Sequence, residues 1–305
     1  MTETHDTRFT KPRTARFGRV ITAMVTPFDS EGGLDLDGVA TLADWLVANG
    51  SDGLVLAGTT GESPVLSDSE EAALTKVVRD AVDVPILLGT GSNDTAYAVE
   101  ATRRAADLGV DGVLVVTPYY NRPAQYGLDA HFRAVAAATH LPVVLYDVPA
   151  RTGRRISTDT LVRLCAEVDN IVALKDAAGD PVSTSRFISE VGPDIEVYSG
   201  DDSLTLPLLS VGAVGVVSVA SHWVGRQMGE MITAFLAGDV VTAQRINASL
   251  LDSYDFEGGD ESPNPIPTKA MLRVLGLPVG QCRLPMGLAP AWVEDRARAI
   301  LAELN

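Results

Sequence analysis

The sequence predicts a (β/α)8 barrel followed by a helical C-terminal extension. Two observations carry this. Eight short runs rich in β-branched residues recur along the chain, and Ala/Leu-rich stretches of helical period alternate with them. Strands that are apolar nearly throughout, each followed by a helix, are the pattern of a parallel sheet covered by helices on its outside. A doubly wound open sheet is the alternative, but the Gly-rich dinucleotide turn expected after its first strand is missing.

The predicted strands begin with "RVITAMVTPF" near Val20, "DGLVLAG" at Asp52, "PILLGTG" at Pro85 and "DGVLVVTPYY" at Asp111. They continue with "PVVLYDV" at Pro142, "IVALKDA" at Ile171, "IEVYSGDD" at Ile195 and "VGVVSVASH" at Val214. Helices are predicted between them over Leu36–Asn49, Asp68–Ala81, Asp94–Leu108 and Thr158–Glu167. Ser67 and Asn93 are the expected N-caps of two of these, and Gly50 and Gly109 end two of them. From Asp239 onward the pattern is helical: "VVTAQRINASLLDSY", then "PIPTKAMLRVLGL", then "APAWVEDRARAILAEL". The expected organisation is a polar N-terminal segment over 1–17, a catalytic barrel over 18–237 and a helical subdomain over 238–305.

The composition, 46% hydrophobic and 21% charged, is that of a soluble globular protein. A net charge of −16 disfavours nucleic acid and acidic membranes as partners. Cys165 and Cys282 are far apart, and His5, His131, His140 and His222 form no ligand-spaced cluster, so neither a disulfide nor a metal site is expected. The polar start lacks the apolar core of a signal peptide, and no stretch is long and apolar enough for a membrane span. A cytoplasmic protein is expected.

Chemistry concentrates where barrel strands end, the usual place for an active site in this fold. Arginine outnumbers lysine twenty to four, yet Lys175 sits in the middle of the apolar run "IVALKDA". If it points inward, strand alternation puts the small Ala173 and Ala177 beside it and sends Val172 and Leu174 outward. A desolvated lysine loses proton affinity and becomes a nucleophile toward carbonyls. A buried ion pair, or a side chain reaching the barrel mouth, explains its position equally well. "GTTGES" (Gly58 to Ser63) offers hydroxyls and backbone N–H groups to a carboxylate, or is an ordinary turn. Tyr146 lies on the inward parity of its strand with Val144 and Val148, and its phenol needs a partner such as the threonines of "GTTGES". Tyr119 and Tyr120 suit a packed interface as well as a site. Arg151 suits bidentate binding of a carboxylate, or is a surface residue.

Taken in order, "GTTGES", "TPYYNRP", "YDVPARTG", "ALKDAAGD" and "YSGDD" resemble the dihydrodipicolinate (4-hydroxy-tetrahydrodipicolinate) synthase family of pyruvate-dependent, Schiff-base aldolases, from about Gly18 to the C-terminus. The resemblance implies a (β/α)8 barrel, a homotetramer made of two tight dimers, and condensation of pyruvate with L-aspartate 4-semialdehyde on the route to diaminopimelate and lysine. It implies Lys175 as the imine-forming lysine and Tyr146, Thr59 and Tyr120 as a proton relay, with Tyr120 reaching into the neighbouring subunit. Thr60, Gly200 and Val217 fall where the family contacts pyruvate, and Arg151 where it receives the semialdehyde carboxylate. No cofactor or metal is implied. Sister aldolases acting on sugar acids share the lysine and tyrosine, but generally carry a single threonine in this loop and lack the arginine of "PARTG".

The family's lysine-feedback cleft is matched here by Ser63, Asn93 and Tyr119. Sensitive members carry a glutamate where this chain has Tyr97, and a basic or imidazole side chain where it has Asp68. The resemblance therefore implies a degenerate effector site. Asp68 and Glu71, the residues that could replace the lost anion, are helix-start residues expected to face solvent or the helix N-terminus.

Overall fold

The computed structural model describes residues 13–304. The eight predicted runs are parallel strands closed into a barrel in chain order, β1 pairing with both β2 and β8. They are β1 (Val20–Ala23), β2 (Gly53–Leu56), β3 (Ile86–Gly89), β4 (Gly112–Val116), β5 (Val143–Asp147), β6 (Ile171–Asp176), β7 (Glu196–Ser199) and β8 (Gly215–Ser218). The helices between them are α1 (Leu36–Ala48), α2 (Asp68–Ala81), α3 (Thr95–Asp107), α4 (Gln125–Ala136), the short α5 (Pro149–Thr152), α6 (Thr158–Glu167), α7 (Pro181–Val191) and α8 (Thr205–Ser210). The eighth unit closes with α9 (Ser221–Leu236), and α10 (Val240–Ser249), α11 (Leu251–Gly258), α12 (Ile266–Val274) and α13 (Ala291–Leu304) follow it. The run predicted as one helix, "VVTAQRINASLLDSY", divides at Leu250, which ends α10 and begins α11.

Strand alternation sorts the apolar residues into two layers. Ile21, Val55, Leu87, Leu114, Val144 and Tyr198 fill the barrel interior, with Phe17 packed among them. Leu54, Leu56, Leu88, Val113, Val143 and Leu145 face the helices. One expected parity does not hold. On β6, Val143 pairs with Ile171 and Val144 with Ala173, so Val172 is an extra residue against β5. Ile171 packs with the helices while Val172 lies against the interior cluster, not outward as alternation predicts. Beyond this bulge regular alternation resumes, with Ala173 inward and Leu174 outward, and Lys175 again inward.

The caps follow local chemistry. Ser67 and Glu70 form a reciprocal capping box at α2. The cap of α3 is Asp94, not the predicted Asn93. The Asp94 carboxylate accepts from the Ala96 N–H at 2.9 Å, placing an anion at the positive end of the helix.

A buried ion pair ties the C-terminal helices to the "GTTGES" loop. Lys269 on α12 lies 2.7 Å from the Glu62 carboxylate, with side chains 0% and 2% exposed. Its ammonium also donates to the Gln281 carbonyl at 3.0 Å and sits 4.1 Å from the Phe28 ring centroid. The other Glu62 oxygen accepts from the Arg283 N–H at 2.9 Å. Removing one partner strands the other charge in the interior. Lys269→Met is therefore expected to lower unfolding free energy by about 3–5 kcal/mol; chemical denaturation monitored by circular dichroism measures it, and a loss below about 1 kcal/mol would mean that the pair is solvated.

Candidate active site

Lys175 projects from β6 into the barrel interior and is 5% exposed. On β5 its register partner is Tyr146, and on β7 it is Tyr198. The Lys175 nitrogen lies 4.2 Å from the centroid of the Tyr146 ring. Small residues leave space beside the amine. Ala173 is inward, and a Cβ on Gly200 would stand 2.9 Å from the Lys175 Cγ and 3.0 Å from its Cε. Only glycine fits there without moving the lysine.

The electrostatics agree with a reactive amine. Burial lowers the Lys175 pKa to about 8; Asp202 and Glu257 oppose the shift and Arg151 adds to it. Among the described residues Lys175 makes no direct ion pair, which separates it from Lys269. Burial raises the Tyr146 phenol to about 12, against the influence of Arg151 and a hydrogen bond with the Thr59 side chain. The phenol therefore keeps its proton at neutral pH and holds it next to the lysine.

The loop after β2 contributes two hydroxyls with different surroundings. Thr59 is exposed at the barrel mouth, whereas Thr60 is buried and accepts from the Asn264 side-chain amide at 2.9 Å. Val217 is buried in the interior cluster, and Arg151 is exposed on α5. Tyr120 is not brought to Tyr146 within the chain. Its side chain is 89% exposed, and its backbone adopts a left-handed φ of 72°.

A family model for dihydrodipicolinate synthetases matches residues 16–303. The chain belongs to the dihydrodipicolinate synthetase family. A 4-hydroxy-tetrahydrodipicolinate synthase from Moorella thermoacetica is 48% identical over 290 residues, covering 94% of this chain and 98% of its own. One from Thermosynechococcus vestitus is 50% identical over 292 residues, covering 95% and 98%. Among solved structures, the dihydrodipicolinate synthase of Bacillus anthracis superposes with a TM-score of 0.91 at 45% identity, covering 95% of this chain and 99% of that one. The Cyanidioschyzon merolae enzyme, solved with lysine bound, gives 0.91 at 46% identity, covering 94% and 98%.

Within the chain, the positions compared with a lysine-binding cleft lie beside α2 and α3. Ser63, Asn93 and Tyr119 are half-buried, and the Asn93 carbonyl accepts from Asn121 at 2.9 Å. The Tyr97 hydroxyl donates to Asp68 at 3.0 Å, and Arg104 reaches the same Asp68 oxygen at 2.8 Å. Asp68 is thus committed to two partners. Glu71 does not face solvent as expected: burial, then the neighbouring Asp68, raises its pKa to about 7.

Sequence reasoning missed Glu62 within the "GTTGES" loop, and Lys269 and Asn264, which hold that loop from the C-terminal region. Lys269, a second lysine among apolar residues, was the available signal. Asp202 and Glu257 were missed as well, because they approach Lys175 from separate elements.

The lowered Lys175 pKa has a measurable consequence. The neutral fraction of the amine increases as pH rises toward about 8 and saturates above it. Imine formation with a small 2-keto acid, quenched by borohydride at one fixed pH and read as a mass adduct, is expected to grow about tenfold per pH unit below that value. A rise continuing undiminished to pH 10 would mean an ordinary solvated lysine.

Proposed function

We propose that this protein condenses pyruvate with L-aspartate 4-semialdehyde through a Schiff base on Lys175, giving 4-hydroxy-tetrahydrodipicolinate, the first committed step toward diaminopimelate and lysine. The observation that carries this reading is the buried Lys175 amine, with no ion-pair partner among the described residues and beside a protonated phenol, with a glycine holding open the adjacent space.

The residue types fit each step. The neutral Lys175 amine attacks the ketone carbon of pyruvate, and loss of water leaves an iminium. Its positive nitrogen acidifies the adjacent methyl group, and loss of a proton gives an enamine. The enamine carbon attacks the aldehyde carbon, and Tyr146, with Thr59 behind it, supplies the proton that the new alkoxide takes up. The substrate's own amine then attacks the imine carbon, closing the ring and releasing Lys175. Thr60, Gly200 and Val217 line the pyruvate subsite, and Arg151 at the mouth receives the second substrate's carboxylate. Organic cofactors and metals have no part in these steps.

The relay is completed by Tyr120 from a second subunit, in a tetramer of paired tight dimers. Three features support this: the exposed Tyr120 and Tyr126 (89% and 83%), the strained backbone of the first, and a Thr59–Tyr146 link inside one chain that does not include Tyr120. The lysine cleft responds weakly, since Tyr97 offers no carboxylate to an effector ammonium and Asp68 is already paired with Arg104.

Pyruvate with borohydride is expected to leave an adduct on Lys175, and Lys175→Ala to abolish it; an adduct persisting on another lysine overturns the assignment. Arg151→Ala should still form the adduct while losing roughly 100-fold in kcat/KM for the semialdehyde. Unchanged semialdehyde kinetics would remove Arg151 from the site. Mixing inactive Tyr120→Phe subunits with inactive Lys175→Ala subunits is expected to restore activity through hybrid sites, whereas a mixture that stays inactive means that each chain is self-sufficient. Half-inhibition by L-lysine should lie above about 1 mM, a binding free energy weaker than about −4 kcal/mol, and tighter inhibition would show a rebuilt cleft.

A further inference from the structure

The end of the polar N-terminal segment, from Arg13 to Gly18, is built into the floor of the barrel. The Arg13 guanidinium donates to the Ile195 carbonyl before β7 at 2.8 Å and to the Ile188 carbonyl on α7 at 3.1 Å. A turn follows, closed by the Gly18 N–H donating to the Ala15 carbonyl at 3.1 Å, with Gly18 at a φ of 92° that would strain a side chain. The turn drops Phe17 into the interior. Its buried ring lies among Ile21, Val55, Leu87 and Leu114, and a Cβ on Gly112 would stand 3.2 Å from the Phe17 Cζ. On its outer side the same turn borders a groove lined by Ala15, Gly18, Arg19 and Asp52.

The turn is pinned from inside the barrel. Glu196 opens β7 on the inward parity, in register with Ala173, and is buried. Its carboxylate accepts from the Arg16 N–H at 2.9 and 3.0 Å, from the Tyr198 hydroxyl at 2.7 Å and, more weakly, from the Thr14 hydroxyl at 3.4 Å. The Tyr198 oxygen accepts from the Phe17 N–H at 3.5 Å. A buried carboxylate needs such partners, and here the N-terminal turn supplies most of them. Tyr198 is itself buried, and its Cα is the register partner of Lys175. Its hydroxyl reaches back to Glu196, two residues earlier on the strand, so the ring spans the interior between the level of Lys175 and the floor. We propose that the N-terminal turn is a positioning element for the Schiff-base lysine: pinned by Glu196, it sets Phe17 and the Tyr198 ring as a dry floor beneath the amine.

The floor matters because burial is the main reason why Lys175 gives up its proton, and water rising from below would restore the ammonium. The strands close the sides of the interior, whereas the floor is closed by a segment that precedes the barrel. Among the described residues, the titratable and charged groups that act on the amine or stand beside it are Tyr146 on β5, Tyr198 on β7, Arg151 on α5, Asp202 in the turn after β7 and Glu257 on α11. Glu196 is an anion too, and as a charge it would favour the ammonium. Removing it would then ease deprotonation, whereas opening the floor hinders it. The direction of the change therefore separates a seal from a charge.

This inference rests on Lys175 as the imine-forming residue, and the test keeps the two claims apart. The initial rate of imine formation with pyruvate, trapped by borohydride at one fixed pH, is measured against pH for the wild type, Phe17→Ala, Glu196→Leu, Glu196→Gln and Arg13→Ala. Phe17→Ala opens the floor and Glu196→Leu unpins it. Their rising limbs should move to higher pH by about one unit or more, with imine formation at pH 7 falling about tenfold for each unit. Glu196→Gln keeps the shape and an oxygen for the Arg16 N–H, and should hold the limb near the wild-type position. Arg13→Ala loosens the turn without altering the interior. It should move the limb the same way by a smaller amount, so that poor folding of the core variants leaves the proposal testable. A rate lowered equally at every pH, with the limb unmoved in Phe17→Ala, Glu196→Leu and Arg13→Ala, would mean a purely structural floor and overturns the proposal. So does Glu196→Gln shifting as far as Glu196→Leu, or a limb that moves to lower pH in both. Absence of a Lys175 adduct in the wild type would instead overturn the reading beneath it.

Discussion

The removal of one amine from water is the constraint on which the rest of the structure turns. An ammonium group buried without a partner is costly, and the cost falls if the group gives up its proton. Lys175 is held in that condition by a closed barrel whose interior is large and apolar toward one end, with Phe17, Leu87 and Leu114, and small around the amine, with Ala173 and Gly200. The surrounding helices exclude solvent from the outer faces of the strands. The space for a substrate and the lowered proton affinity thus have the same origin.

The two lysines that are buried among the described residues show how environment divides one residue type. Lys269 has a carboxylate at 2.7 Å, a carbonyl acceptor and an aromatic face, and so remains a satisfied structural cation. Among the described residues Lys175 has an aromatic face and no direct carboxylate partner, and Asp202 and Glu257 oppose its shift. The Lys269–Glu62 pair braces the loop that carries Thr59 and Thr60, while Asn264 orients Thr60 directly. The C-terminal helices are therefore part of how the mouth of the barrel is built.

Backbone strain is concentrated at the same end. Ala57, Glu62, Tyr120 and Arg122 all have left-handed φ values, between 47° and 72°, and all follow β2 or β4. Residues with a Cβ hold that conformation only where their surroundings enforce it. Glu62 is fixed by Lys269 and the Arg283 N–H. Tyr120 is held by one backbone bond to the Thr152 carbonyl and then leaves its side chain in solvent. The first arrangement is complete within the chain; the second leaves an aromatic group at the surface.

The barrel, its eight strands, the cap at Ser67 and the inward parity of Tyr146 and Lys175 could be read from the sequence, because each depends on local periodicity or on a few adjacent residues. Local signals also misplaced a few features. The bulge at Val172 depends on how β5 meets β6, and the α3 cap on which of two neighbouring side chains reaches a free N–H. Whether Lys175 was a nucleophile or half of an ion pair stayed open at the level of position, because strand alternation gives a direction and not a partner. Only the tertiary structure shows that, among the described residues, no carboxylate pairs with Lys175 directly. Glu62 meets Lys269, Asn264 meets Thr60, and Asp202 and Glu257 approach Lys175 across separations that no periodicity encodes. The proton affinity of a buried group is set by what surrounds it in space, and those surroundings exist only once the barrel has closed and the C-terminal helices have packed against it.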